Sequence, residues 1–522
     1  MIFSINHSIV YYNSGIEHAE IKRTRLFHHY HESAKLLTDN WDANNHYYLH
    51  QVGIPDQDVI NMYDFYQGAQ EVPWRPVHLR DLKLVQQAKI TPQNGYTLVT
   101  KGPYAFCVYY FDQRDQKQVR QINCFYHNNC YQVDYFDWRG FMDRQMIFRP
   151  DSKYEDHENF LAPDGWVRLR KQLIRRQGRY YTKYYVWGTK RPLLGWDQLL
   201  LHFLNLICLE YGSARQPVLL IADRWWRSTR ISDILGKISY PHYLVFCAHY
   251  SHTNDDKHAM TATTDHYFAH IFRQAKRLPP RSSYDALVCS TTTQVQDIQH
   301  RYQLPRPLFT IPVGIQNQAG AKHPLPVRAR HHQQINCVTR VSPVEGILDT
   351  VRAFGLARRQ LPDLQLNIYG KMGPLSAKFK KQLQKVQKQY ALDRHSFRLH
   401  EYTYRVPELY RHSQLTLVTA PNDSFNISLL EALSQGCPAI VYNNNYGPRD
   451  MIINGYDGYQ VDNDYRTMAK RIVYFFQHPR TMRQMSQHAY EEARRYSPER
   501  IWRQWQKLIR VARQQWPNKL VN

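Results

Sequence analysis

The chain has 522 residues, 43% of them apolar and 21% charged, which excludes a disordered or fibrous polypeptide and exceeds what one hydrophobic core supports. Lys and Arg outnumber Asp and Glu by 68 to 44, and the net charge of +24 favours anionic partners: nucleic acid, anionic lipid, teichoic-acid-like polymers or sugar nucleotides. The cations are spread out, with only short clusters such as RLRKQLIRRQGR at 168–179, so a basic cytosolic protein without a polyanionic partner also fits.

In chain order, IFSINHSIVYY reads as a strand and Gly15 as the turn before a helix with Ile16, Ala19, Leu26 and Phe27 at helical spacing. This strand–turn–helix opening is typical of α/β domains. From about 75 to 190 the texture changes to runs such as YTLVTKGPYAFCVYYFD, rich in Tyr, Phe and Val, which predict antiparallel strands. Aromatic and basic residues interleave there as they do in single-strand nucleic-acid binders, but no compact recognition motif accompanies them, and no nucleic acid is expected. WDQLLLHFLNLICLEYG then predicts a helix, and PVLLIAD, HYLVFCAHYS, YDALVCST and LFTIPVG predict strands. From 335 the alternation restarts with INCVTRV, ILDTVRAFGLARRQLP, LQLNIYGK, LTLVTA, SLLEALSQG and PAIVYN.

Strands and helices alternating at these lengths make right-handed βαβ units and parallel sheets. The polar stretch at 317–334 separates two such blocks. The expected architecture is α/β, with two Rossmann-like doubly wound domains facing a cleft, residues 1–74 with 191–320 and residues 330–500. A β-rich insertion at 75–190 would bind the acceptor or a partner, and an amphipathic helix at 500–522 would close the chain.

The eight cysteines are scattered with no C-x-x-C pair, which argues for reduced thiols and against a disulfide framework or zinc site. The first residues lack the pattern of a signal peptide, and the apolar run at 199–209 is too short to span a bilayer. A cytoplasmic protein is expected, with peripheral contact at the inner membrane face allowed by its charge.

The chemistry concentrates in NDSFNISLLEALSQG, residues 422–436, where Asp423 and Glu431 stand eight positions apart around a helix start. Ser428 and Glu431 fit a capping box, S-x-x-E, which would satisfy the first free amides. That leaves Asp423 and the approach loop unexplained. A helix N-terminus offers free amides and a positive dipole end to a diphosphate, and carboxylates accept hydrogen bonds from sugar hydroxyls. The alternatives at this point are a local cap and a clamp for a nucleotide sugar.

The stretch DSFNISLLEALSQGCPAIVYNNNYGPRDMIINGYDGYQV resembles the donor-binding segment of family-4-type retaining glycosyltransferases with the GT-B fold. SGIEHAEIKRTRLF, CAHYSHTN, ALVCSTTTQ and FTIPVG further resemble two bacterial groups. These are the catalytic subunits that O-glycosylate serine-rich adhesins in accessory secretion and the poly(glycerol-phosphate) α-glucosyltransferases of wall teichoic acid. The resemblance implies that Glu431 holds the ribose hydroxyls and that the backbone at Ser428 and Leu429 holds the diphosphate. It also implies that Asp423 contacts the donor sugar, Arg340 faces the diphosphate, His249 lies near the reacting sugar, and Gly15 belongs to a loop closing over the donor. Without the resemblance, His249 at a strand end reads as structural.

Three positions depart from that pattern: Asp423 replaces a glutamate, Asn426 a glycine, and Glu345 a lysine whose role Lys371 would have to take. The resemblance implies transfer of a hexose or N-acetylhexosamine from a donor such as UDP-glucose or UDP-GlcNAc to a hydroxyl of protein Ser/Thr or of poly(glycerol-phosphate). No cofactor or metal would be needed, since the helix dipole and Arg340 serve the diphosphate. The alternative is a catalytically impaired subunit serving an active paralogue.

Overall fold

The structure is a computed structural model that describes all residues except 11, 113–116, 150–153, 177–178, 214, 224–232, 254–259, 276–283, 372–376 and 522. The chain forms two compact units: Met1–Asn13 with His31–Leu244 and Trp516–Asn522, and Ser14–Tyr30 with Val245–Gln515.

In the first unit, strands Leu219–Ala222, Ile2–Asn6, Ala34–Thr38 and Val59–Asn61 lie parallel in that order. Every residue of Ile2–Asn6 is buried, as expected of a parallel strand covered on both faces. The segment expected to be β-rich is an antiparallel meander of ten strands running in sequence order from Lys89 to Leu194. One face packs Val99, Val108, Val119 and Ile122 under Val77, Leu79, Leu82 and Leu84. On its other face the buried Glu158 is held between Arg144 and Lys171.

His46, Asp64 and Asp137 converge near this sheet. His46 places Nδ1 2.8 Å from Asp56 and Nε2 2.7 Å from Asp64, so both ring nitrogens donate and the ring is an imidazolium. Burial alone would lower the pKa of His46, but Asp137 and Asp64 outweigh it and raise it to about 10. Arg139 donates to Asp137 at 2.8 Å and to Asp64 at 3.1 Å. Three carboxylates therefore face two cations, and the cluster is an ion-pair network.

The second unit contains parallel strands Ala286–Cys289 and Leu308–Thr310, and from Val245 onward the strand Tyr243–Ala248 that pairs with the first of them. It also holds two three-stranded parallel sheets, Gln334–Val338 with Gln365–Tyr369 and Phe397–His400, and Thr416–Val418 with Ala439–Tyr442 and Gly458–Val461. A parallel bridge between Ile335 and Leu415 links the two. Helices Ile347–Arg358, Ala377–Gln389 and Tyr465–Gln477 bury Val351, Phe354, Leu383 and Ile472 against these strands. Helix Gly15–His29 belongs to this unit, with Phe27 5.4 Å from Trp505 and Tyr30 stacked at 4.8 Å on Trp502. No disulfide joins the eight cysteines. Among the described residues, no helix is long and apolar enough to cross a membrane.

Candidate functional site

Strand Thr416–Val418 leads through a loop into helix Ile427–Ser434. Asn426 is left-handed at φ +69°, and its Oδ1 accepts the Leu429 amide at 2.7 Å. The cap is therefore Asn426, and the Ser428–Glu431 capping box expected from sequence does not form. Asn is among the few non-glycine residues that enter this backbone region readily, which explains why it can stand where the resembling enzymes have glycine. Ser428 falls inside the first turn and lines a cavity with Thr339, Glu345, Thr350, Thr419 and Asn426. Of the two backbone positions expected to hold a diphosphate, Leu429 gives its amide to the cap and Ser428 faces this cavity.

Asp423 is half-buried, and its Oδ1 accepts the Phe425 amide at 3.1 Å. Burial raises its pKa to about 6, with the Phe425 amide opposing and the negative charge of Glu345 adding to the rise. The Asp423 carbonyl accepts the amides of Tyr446 and Gly447 at 3.1 and 2.9 Å, which fixes the loop. Next to it, the Ser424 hydroxyl donates to the His249 carbonyl at 2.7 Å, so His249 borders the Asp423 loop.

Gly15 begins its helix after the capping residue Ser14, and a Cβ placed there would lie 3.5 Å from Ile427 Cδ1. On the same helix face, His18 Nε2 lies 2.9 Å from the Tyr402 hydroxyl and Lys22 Nζ donates to Glu431 Oε1 at 3.1 Å. Burial lowers the pKa of His18, with Glu431 opposing. The structure thus brings Gly15, Asn426, Ser428 and Glu431 together, and Asp423 with His249.

Arg340 occupies the loop after strand Gln334–Val338, and its Nη2 lies 2.6 Å from Glu345 Oε1. Glu345 closes a 3₁₀ turn over Pro343–Glu345, followed by Gly346 at φ +71°. A side chain at Gly346 would meet the Thr419 carbonyl at 2.3 Å, so this turn is pressed against the loop leading to Asp423. The Thr419 hydroxyl donates to the Glu345 and Gly346 carbonyls at 3.2 and 3.0 Å. The Val341 amide donates to the Lys371 carbonyl at 3.3 Å, which places Lys371 beside the arginine loop. Arg340 and the backbone of Lys371 thus border the turn whose Glu345 lines the same cavity as Asn426 and Ser428.

Sequence reasoning did not single out Lys22, His18, Tyr402 or Thr419. Their one sequence signal is the spacing of Gly15, His18 and Lys22, which lie on a single helix face.

Residues 328–492 match the family model described as glycosyl transferases group 1. This part of the chain is a group 1 glycosyltransferase domain, and the parallel sheets with the β-rich region have the GT-B fold. The UDP-N-acetylglucosamine–peptide N-acetylglucosaminyltransferase GtfA subunit of Streptococcus gordonii is 23% identical over 531 residues, covering 98% of this chain and 99% of that protein. The poly(glycerol-phosphate) alpha-glucosyltransferase of Bacillus subtilis is 26% identical over 169 residues, covering 32% of this chain and 24% of that protein. Among solved structures, the pneumococcal O-GlcNAc transferase GtfA in complex with UDP and GlcNAc superposes with a TM-score of 0.82 at 20% identity, over 98% of both chains. TarM superposes with a TM-score of 0.72 at 15% identity, over 97% of this chain and 98% of that one.

Proposed function

We propose that this chain is a retaining glycosyltransferase that moves a hexose or N-acetylhexosamine from a UDP-sugar to a hydroxyl of protein Ser/Thr or of poly(glycerol-phosphate). The observation that carries the reading is the helix tip at Asn426–Ser428 with Asp423 before it and Glu431 after it in the chain, in a protein similar to GtfA over nearly its whole length. Glu431 accepts the ribose hydroxyls, Asp423 a hydroxyl of the donor sugar, and the tip takes the diphosphate. Arg340 and Lys371 offset the charge that grows on the leaving diphosphate as the sugar–phosphate bond breaks and the sugar–acceptor bond forms. The acceptor proton leaves with the diphosphate, and no metal is required. His249 lies beside the reacting sugar, and the Gly15 loop covers the donor.

An assembly of GtfA with GtfB has a subunit that superposes on this chain with a TM-score of 0.78. A paralogous partner, engaged through the ten-stranded sheet, therefore belongs to the proposal, as does work in the cytoplasm. Hydrolysis and transfer assays with UDP-GlcNAc and UDP-glucose, alone and with a co-expressed paralogue, test it. Turnover of one donor is expected, and absence of both binding and turnover under every condition overturns it. Binding without turnover would support the second reading, a catalytically impaired subunit, which the Arg340–Glu345 pair favours because it engages a cation the reading assigns to the diphosphate.

A further inference from the structure

The helix Gly15–His29 touches the candidate site at three points spaced along one face. Gly15 lies against Ile427 at the tip, His18 meets Tyr402, and Lys22 reaches Glu431. Tyr402 follows strand Phe397–His400, and its ring meets that of Tyr404 edge-on at 5.0 Å. His18 is thereby anchored one turn before Lys22, which limits where the lysine stem can go. The Lys22 and Glu431 side chains are 29% and 19% exposed, so the pair is partly shielded from water.

A carboxylate has four lone-pair positions, and one ammonium contact leaves the others open to hydroxyl donors. A glutamate on the first turns of a short helix has three rotatable bonds, and holding it in one rotamer before a ligand arrives removes an ordering cost from binding. We propose that Lys22 is a positioning residue for the nucleotide donor: it fixes the Glu431 carboxylate for the ribose hydroxyls, which makes helix Gly15–His29 part of the donor site. The inference rests on the reading of Glu431 as the ribose acceptor.

Titration calorimetry with UDP on the full chain, paired with thermal unfolding, separates the two. Glu431→Gln tests the underlying reading, and UDP affinity unchanged in that variant overturns it together with the inference. Given that Glu431→Gln weakens UDP, Lys22→Met is expected to weaken it by up to about tenfold, the ordering cost of one rotamer-rich side chain. Lys22→Arg, which keeps the charge and a donor, is expected to restore most of the affinity. For turnover, Lys22→Met is expected to raise the donor KM and leave kcat within about twofold. Unchanged UDP affinity in Lys22→Met with a lowered Tm overturns the inference and makes the pair a structural staple. Tighter UDP binding in Lys22→Met also overturns it, because the lysine would then be competing with the ribose.

Discussion

Glu345 alters what its neighbouring cation can do. Its carboxylate lies 2.6 Å from Arg340, whose side chain is 68% exposed, so the pair engages a guanidinium the diphosphate would otherwise meet unencumbered. Glu345→Lys releases Arg340 and adds a cation beside it, and UDP affinity measured by calorimetry is expected to rise about tenfold. The charge reversal was legible in the sequence, but the ion pair was not, because it depends on a 3₁₀ turn closed by Gly346. Asp423 gives a pH dependence. Its folded pKa of about 6 lies above the ordinary 3.8, so its contribution to stability is fully present below 3.8 and is lost as pH rises through about 6. Donor binding runs the other way, because only the carboxylate accepts a sugar hydroxyl with both oxygens. The donor KM is expected to rise as pH falls through about 6, and Asp423→Asn to flatten that dependence while raising the melting temperature at pH 7.5.

Helix Ile427–Ser434 shows how an element can be predicted and its start misassigned. Ser428 and Glu431 carry a capping spacing, but the loop enters with Asn426 at φ +69°, and that backbone sign is invisible in a local pattern. Asn426→Ala loses both the side-chain cap and a residue that tolerates the left-handed region, at a cost of about 2 kcal/mol, whereas Asn426→Gly costs about 0.5 kcal/mol. Urea unfolding midpoints compare the two. The β-rich stretch was legible because alternation leaves a direct trace, as in Tyr96–Lys101, where Thr97 and Val99 are buried between less buried neighbours. Helix Gly15–His29 was equally legible, but its partners were not, since no sequence pattern pairs Lys22 with an acid 409 positions away.

Across the whole molecule, the charge that matters for stability is buried in the first unit as well as displayed outside. His46 gains its proton affinity from the fold, so its contribution is fully present below its ordinary pKa of 6.5 and is lost as pH rises through about 10. Urea midpoints of the wild type are expected to fall across that window, and those of His46→Gln to vary less. Arg139→Met leaves Asp137 and Asp64 short of a cation and is expected to cost about 3–5 kcal/mol. The span between Lys22 and Glu431 carries a further consequence. At about 5–20 residues per second, a ribosome that has finished the first helix needs roughly 20–80 s to deliver its partner. Throughout that interval Phe27, buried in the finished protein, lacks Trp502 and Trp505, the rings it packs against. No partly translated copy that stops short of Glu431 can form this pair or hold a nucleotide in the finished geometry.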